Sequence, residues 1–167
     1  MAIGWGRPTI LIKNLKTSNA KWQKVPTPAE GTTALTPTKG DKREAKLEGG
    51  DNEDVIFGRN NYALAYGIRV ADNKTMPIQH DEGYVADEYA VALQPENPNV
   101  PGFIIERSSV SVEDPWGAED GGMWTYTHDA LKPDKGKKVK WGKIVITGDE
   151  TSGYDVTGSG EDFNTAE

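Results

Sequence analysis

The chain has 167 residues, no cysteine, and 26 acidic side chains against 19 basic ones, for a formal charge of -7. That length suits a single domain, and the lack of cysteine excludes a disulfide framework, a thiolate nucleophile and a cysteine-bound zinc or iron–sulfur centre. The 19 glycines and 10 prolines exclude an architecture of long helices, because each costs roughly 1 and 3 kcal/mol respectively inside one.

No apolar stretch precedes Arg7-Pro8, so a secretory signal is not expected, and the longest apolar runs, such as Ile10 to Ile12, are too short to span a membrane. Thr9 to Lys13 reads as a first strand. Residues 26–54 are poor in bulky apolar side chains and carry turn signals at Gly40-Asp41 and Gly49-Gly50-Asp51. They read as a long polar hairpin or extended loop. Strict alternation follows: Tyr62, Leu64, Tyr66, Ile68 and Val70 share one face of a strand, and Ala63, Ala65, Gly67 and Arg69 share the other. The small-residue face calls for a closely packed helix or sheet. Between Ala71 and His80 there is room for one short helix, with Thr75 as N-cap and Pro77 in its first turn. Residues 81–93 can be written as an amphipathic helix capped by Asp81 or Asp87. Tyr89, Val91 and Leu93 fit a strand equally well, ended by Pro95 and Pro98. Further strands are expected over 103–106 and 108–113, and over 124–130, where Trp124, Tyr126, His128 and Ala130 alternate with polar residues. Val139 and Trp141 share a face, Ile144 and Ile146 follow in shifted phase, and the slip at Gly142 predicts a β-bulge.

The negative charge is uneven. Asp149, Glu150, Asp155, Glu161, Asp162 and Glu167 occur in a stretch with no Lys or Arg, and the rest of the chain nearly balances. With only Tyr154, Val156 and Phe163 as large apolar residues, this stretch reads as a flexible tail, or one ordered by docking. The expected organisation is a β-rich domain over 1–148 and an acidic Gly/Ser/Thr-rich tail over 149–167. The cluster Lys135, Lys137, Lys138, Lys140 and Lys143 reads as a solvated hairpin end, not a nucleic-acid stripe.

Catalytic motifs fail one by one. No serine lies in a Gly-x-Ser-x-Gly elbow, and only His80 and His128 are available as bases. His128 continues the Trp124–Tyr126 face and reads as a sheet histidine. The Gly136–Gly142–Lys143 spacing is wrong for a P-loop, and Gly158-Ser159-Gly160 lacks a third glycine. The oxygen-rich stretches 51–54 and 114–120 lack EF-hand spacing. A carboxylate pair of the glycosidase type has no local signature, and no cofactor or metal is expected. Trp124 and Trp141 read as core. Trp5, Trp22 and Trp116 sit in loop-like sequence and are candidate interface aromatics.

Four stretches together resemble the tail tube (major tail) proteins of long-tailed bacteriophages. They are residues 30–50 (EGTTALTPTKGDKREAKLEGG), the strand 62–70, the run 91–96 leading to 101–112 (PGFIIERSSVSV), and 121–133 (GGMWTYTHDALKP) with 136–141. The resemblance implies a mainly β (β-rich α+β) fold of two packed antiparallel sheets, a sandwich or barrel, with one short flanking helix and a long polar hairpin loop. Its build is similar to type VI secretion tube proteins. It implies that six copies close into a ring, that rings stack into a tube conducting DNA, and that the protein is made in the host cytoplasm and carried in the virion. The partners implied are copies of itself, other tail proteins, and double-stranded DNA as a non-specific passenger, with no membrane. The family's inter-ring loop maps onto 36–54, with Thr36, Lys39, Asp41, Lys42, Arg43, Glu44, Lys46, Glu48, Asp51 and Asp54 as contact residues. The weak helix signal and the acidic tail depart from the family pattern. Two other classes stay open: a carbohydrate-binding β-sandwich using exposed tryptophans, and a small enzyme with a pocket and a shifted carboxyl group.

Overall fold

The computed structural model describes residues 5–163. The first four residues and the last four, including Glu167 of the expected tail, lie outside the described residues. The chain forms β1 (Thr9–Asn14), β2 (Gln23–Lys24), β3 (Ala34–Thr38), β4 (Lys42–Lys46), β5 (Asn52–Phe57) and β6 (Asn61–Arg69). It continues with β7 (Tyr84–Gln94), β8 (Gly102–Glu113), β9 (Trp116–Gly117), β10 (Gly121–Ala130), β11 (Lys140–Asp149) and β12 (Gly153–Ser159), then one 3-10 turn, Glu161–Phe163.

The fold is mainly β and antiparallel. Ten strands join in one sheet along the path β2-β1-β7-β8-β10-β6-β3, with β11, β12 and β9 branching from it, and β4 and β5 form a separate ribbon. β8 belongs to two neighbourhoods. Its second half pairs with β10 from Ser108 to Glu113, and its first three residues pair with β11. A bulge separates the two halves: Tyr89 faces Ser108 across the ladder, but Val91 faces Ile105. The extra residue re-phases β8, so Phe103 and Ile105 point to the same core as Val110 and Val112. Sequence alternation breaks at Arg107 for this reason.

The larger core gathers Ile10, Ile12, Leu64, Tyr66, Ile68, Val91, Phe103, Ile105, Val110, Val112 and Tyr126, so β1, β6, β7, β8 and β10 share one buried face. Burying each large side chain contributes about 1.5–3 kcal/mol. A second core lies on the other face, with Ala92, Ile104 and Ile144 packed against Trp22, Ile146, Val156 and Phe163. It closes because Trp22 and Tyr154 exchange backbone hydrogen bonds of 3.1 and 3.0 Å, joining β12 back toward β1 through β2.

The segment expected to hold a flanking helix, 71–80, is a series of turns. A helix of one or two turns is marginal alone. Here Ile78 is fully buried, and its carbonyl accepts a 3.2 Å bond from Tyr126 Oη, so the chain dips into the core instead. The acidic C-terminal stretch is not a loose tail over its described part. Seven residues of β12 pair with β11 from Ser159 to Gly153. Phe163 folds back over Gly142 and Gly158, supplying the buried surface that composition alone hides. At Gly142 no bulge occurs. It is the residue where β11 leaves β8 for β12, and a Cβ there would lie 2.2 Å from the Ser159 carbonyl oxygen.

Candidate interaction surfaces

β3 and β6 form a two-stranded edge whose ends run on into the β4–β5 ribbon. The join is tight at Gly40, where a Cβ would lie 2.4 Å from the Gly58 carbonyl carbon, and the Gly58 N–H donates to the Asp41 carbonyl at 2.8 Å. The ribbon, called the arm below, turns at 47–51 through a 2.7 Å bond from Leu47 N–H to the Asp51 carbonyl. This is the long polar hairpin expected over 36–54, and it holds most of the contact residues proposed there. Thr36 lies in β3, Lys39 and Asp41 at the root, Lys42, Arg43, Glu44 and Lys46 in β4, Glu48 and Asp51 in the turn, and Asp54 in β5. Each is exposed.

Among the described residues no other sheet packs on the arm. Ile56 and Phe57 are 61% and 60% exposed, and Leu47 is also exposed. Sequence reasoning missed these three apolar residues, although Ile56 and Phe57 interrupt an otherwise polar stretch. They stand beside cations: Phe57 pairs with Lys42 and Ile56 with Arg43. Glu44 is ion-paired with Lys42, and with Lys46 at 3.5 Å; the Lys42 hydrogen bond lowers its pKa below the ordinary carboxylate value.

The candidate aromatics separate. Trp22 is half-buried against the second core, whereas Trp5 and Trp116 are 76% and 75% exposed. Trp5 precedes Thr9, which pairs with Gln94 at the end of β7, whereas Trp116 lies beyond the far end of β8. The two stand at opposite ends of the sheet and form no common stacking platform. Trp124 packs against the larger core, but Trp141, expected inside, is 48% exposed and rests on Phe103 with ring centroids 5.0 Å apart. It lies on the same face as Phe103, its partner across the ladder, at the margin of the larger core.

The small-residue face of β6 extends across its neighbours in rows. Ala63 aligns with Asp129, Ser109 and Thr36; Ala65 with Thr127, Ser111 and Ala34; Gly67 with Thr125, itself beside Glu113. Close packing occurs at Gly67, against Thr32 and Met123. Among the described residues no helix or second sheet covers Ser109, Ser111 or Asp129, which are exposed. The face expected to be packed is therefore closed at Gly67, half-buried along Ala63, Ala65, Thr125 and Thr127, and open at Ser109, Ser111 and Asp129.

Among the described residues, buried polar side chains fall in three places: Lys140, whose Nζ donates to Glu106 Oε1 at 2.6 Å, Gln94, whose amide donates to the Pro95, Asn97 and Val100 carbonyls, and one longer chain of bonds. Tyr66 Oη lies 2.9 Å from His128 Nε2, His128 Nδ1 lies 3.1 Å from Ser108 Oγ, and Ser108 Oγ donates to the Tyr89 carbonyl at 2.6 Å. Burial lowers the His128 pKa to about 3 and raises that of Tyr66 well above its ordinary value. Tyr66, Ser108 and His128 are all fully buried, so His128 is the sheet histidine expected. His80 lies elsewhere: its Nδ1 accepts the Gly83 N–H at 2.8 Å.

The carboxyl groups with shifted pKa values, Glu44, Glu88, Asp149 and Asp162, are all held low by nearby donors. Arg107 holds Glu88 through bonds of 2.9 and 2.8 Å beside the β8 bulge. Among the described residues no group of His, Asp and Glu is arranged to hold a metal ion, and no helix is long and apolar enough to cross a membrane. No protein-family model matches the chain, and no curated protein matches it either.

Proposed function

We propose that the chain is a structural subunit of a bacteriophage tail tube, whose copies close into rings of six that stack into a DNA-conducting tube. The observation that carries this reading is the arm. An isolated two-stranded ribbon is marginal in water, and this one exposes Leu47, Ile56 and Phe57 as well. Coverage by another copy would give those residues a partner. The open face of small residues supports the same reading. Ser109, Ser111, Thr125 and Thr127 carry no charge, Asp129 and Glu113 add negative charge, and the one cation on this face of β6, Arg69, stands at its end. A wall of that kind lets a phosphate backbone slide, whereas lysine and arginine would hold it. The acidic arm tip and the near balance of charge outside the C-terminal stretch suit repeated self-contact rather than nucleic-acid capture.

The test is negative-stain electron microscopy across a protein concentration series, with light scattering on the same samples. Rings of six or open tubes with a central channel are expected at high concentration. A strict monomer throughout, or filaments without a channel, would count against the reading.

A further inference from the structure

The two ends of β6 differ in chemistry. From Asn61 to Arg69 the strand spans nine residues, roughly 30 Å of extended chain. At the Asn61 end stands the root half of the arm, with Lys39, Lys42, Arg43 and Arg59 against Asp41 and Glu44. Lys138 Nζ donates to the Asn60 carbonyl at 3.1 Å and to Asn61 Oδ1 at 3.0 Å, which brings the lysine-rich connection before β11 to this end. Ile56 and Phe57 lie among these cations.

At the Arg69 end the order is reversed. Val70 N–H donates to the Gly122 carbonyl at 3.0 Å, Trp116 pairs with Gly122, and both side chains rest against that glycine. Tyr84 joins the same end through Ser111, and Val70, Tyr84 and Trp116 are all exposed. Glu113, Asp114, Glu119 and Asp120 surround them, with no Lys or Arg between 113 and 122. The neighbouring loop adds Asp72, Asp81 and Glu82 against Lys74, and Arg69 donates to the Asp120 carbonyl at 3.4 Å.

We propose that this Trp116-bearing acidic end is the receiving surface for the arm root of a second copy, so that copies assemble head to tail. The proposal rests on the self-assembly reading above and names the contact. Each end offers exposed apolar side chains, and their surrounding charges are of opposite sign. Like ends brought together would oppose base to base or acid to acid, whereas unlike ends attract. The arm tip, with Glu48, Asp51, Glu53 and Asp54, extends past the root and lies along the flank of the receiving copy. A head-to-tail contact of this kind repeats without limit along an axis, as stacking requires.

The chain contains no cysteine, so introduced thiols report cleanly. Arg43 and Glu119 are both exposed. The double variant Arg43→Cys with Glu119→Cys, treated with a short bis-maleimide after assembly, is expected to give a ladder of dimers, trimers and longer species on a denaturing gel. Arg43→Cys alone is expected to stay monomeric. Trp116→Ala, at a surface position that leaves both cores intact, is expected to raise the concentration needed for assembly tenfold or more. Strong dimer from Arg43→Cys alone would mean arm-to-arm contact and overturn the proposal. So would a missing ladder in samples that scatter as assembled material, which would leave the tube reading standing with another stacking surface. A wild-type chain that never scatters as more than a monomer would remove both readings together.

Discussion

Tyr66, His128 and Ser108 form a bonded chain sealed from water, and its ends fix its polarity. Ser108 spends its hydroxyl proton on the Tyr89 carbonyl. It therefore accepts from His128 Nδ1–H, which leaves Nε2 bare to accept the Tyr66 hydroxyl. Every donor and acceptor is satisfied only while the imidazole is neutral. The folded pKa, about 3, lies below the ordinary value of 6.5. As pH falls the unfolded chain takes the proton first, so stability present above pH 6.5 is lost progressively between 6.5 and 3. Between pH 7 and pH 5 the expected loss is about 2 kcal/mol. Urea unfolding of wild type and His128→Gln at both pH values measures it. The variant starts less stable and is expected to show little change over that interval; parallel losses in the two proteins would mean that another group is responsible. The position of His128 was legible from the alternation through Trp124 and Tyr126. Its partners were not, because Ser108 and Tyr66 lie 20 and 62 residues away and meet it only through sheet registers.

Most strands were legible because one face of each is buried against a single core. Residues 62–70 read out as β6, which runs from Asn61 to Arg69 and leaves Val70 exposed beyond its end, and even the break at Arg107 marks the bulge in β8. Elements that depend on distant partners were missed. The 71–80 segment looks helical until Ile78 is seen entering the core, and β12 looks like loose chain until Phe163 is placed over Gly142 and Gly158. The dependence gives a test. Gly142→Ala must push its Cβ against the Ser159 carbonyl and the Phe163 ring, an overpacking expected to cost about 1–3 kcal/mol. Thermal unfolding of Gly142→Ala beside Gly31→Ala, where a Cβ meets nothing within 4 Å but φ is +75°, separates crowding from backbone strain. Equal losses would show that the β11–β12 crossing is not sterically closed. The arm is the converse case: legible as a polar hairpin, yet with its apolar residues overlooked. Its amides have no packed face to protect them. Hydrogen exchange in the unassembled protein is expected to be fast through β4 and β5 and slow through β6 and β10, with the arm slowing upon assembly. An arm as protected as β10 in the monomer would contradict its dependence on a second copy.

At the scale of the whole molecule, the distribution of charge matters more than its total. A formal charge of -7 alone suggests that copies repel. The arm root, however, carries Lys39, Lys42, Arg43 and Arg59 against Asp41 and Glu44, and the far end carries Glu113, Asp114, Glu119 and Asp120. Attraction between unlike ends therefore acts at short range against net repulsion. The apolar contributions of Ile56, Phe57, Val70, Tyr84 and Trp116 respond oppositely to salt. Screening shortens electrostatic reach from about 10 Å at 0.1 M to about 3 Å at 1 M, while sulfate strengthens apolar burial. If the end-to-end charges govern stacking, raising sodium chloride from 0.1 to 1 M raises the assembly concentration, and Arg43→Glu mimics that effect at low salt. Adding Glu119→Arg to Arg43→Glu restores opposite signs across the contact and is expected to recover most of the lost assembly. Light scattering of the four proteins at both salt concentrations distinguishes the cases. Assembly that strengthens with sodium chloride and ignores both reversals would assign the contact to the apolar residues alone. Recovery in the double reversal, absent in either single one, ties the arm root of one copy to the acidic end of the next.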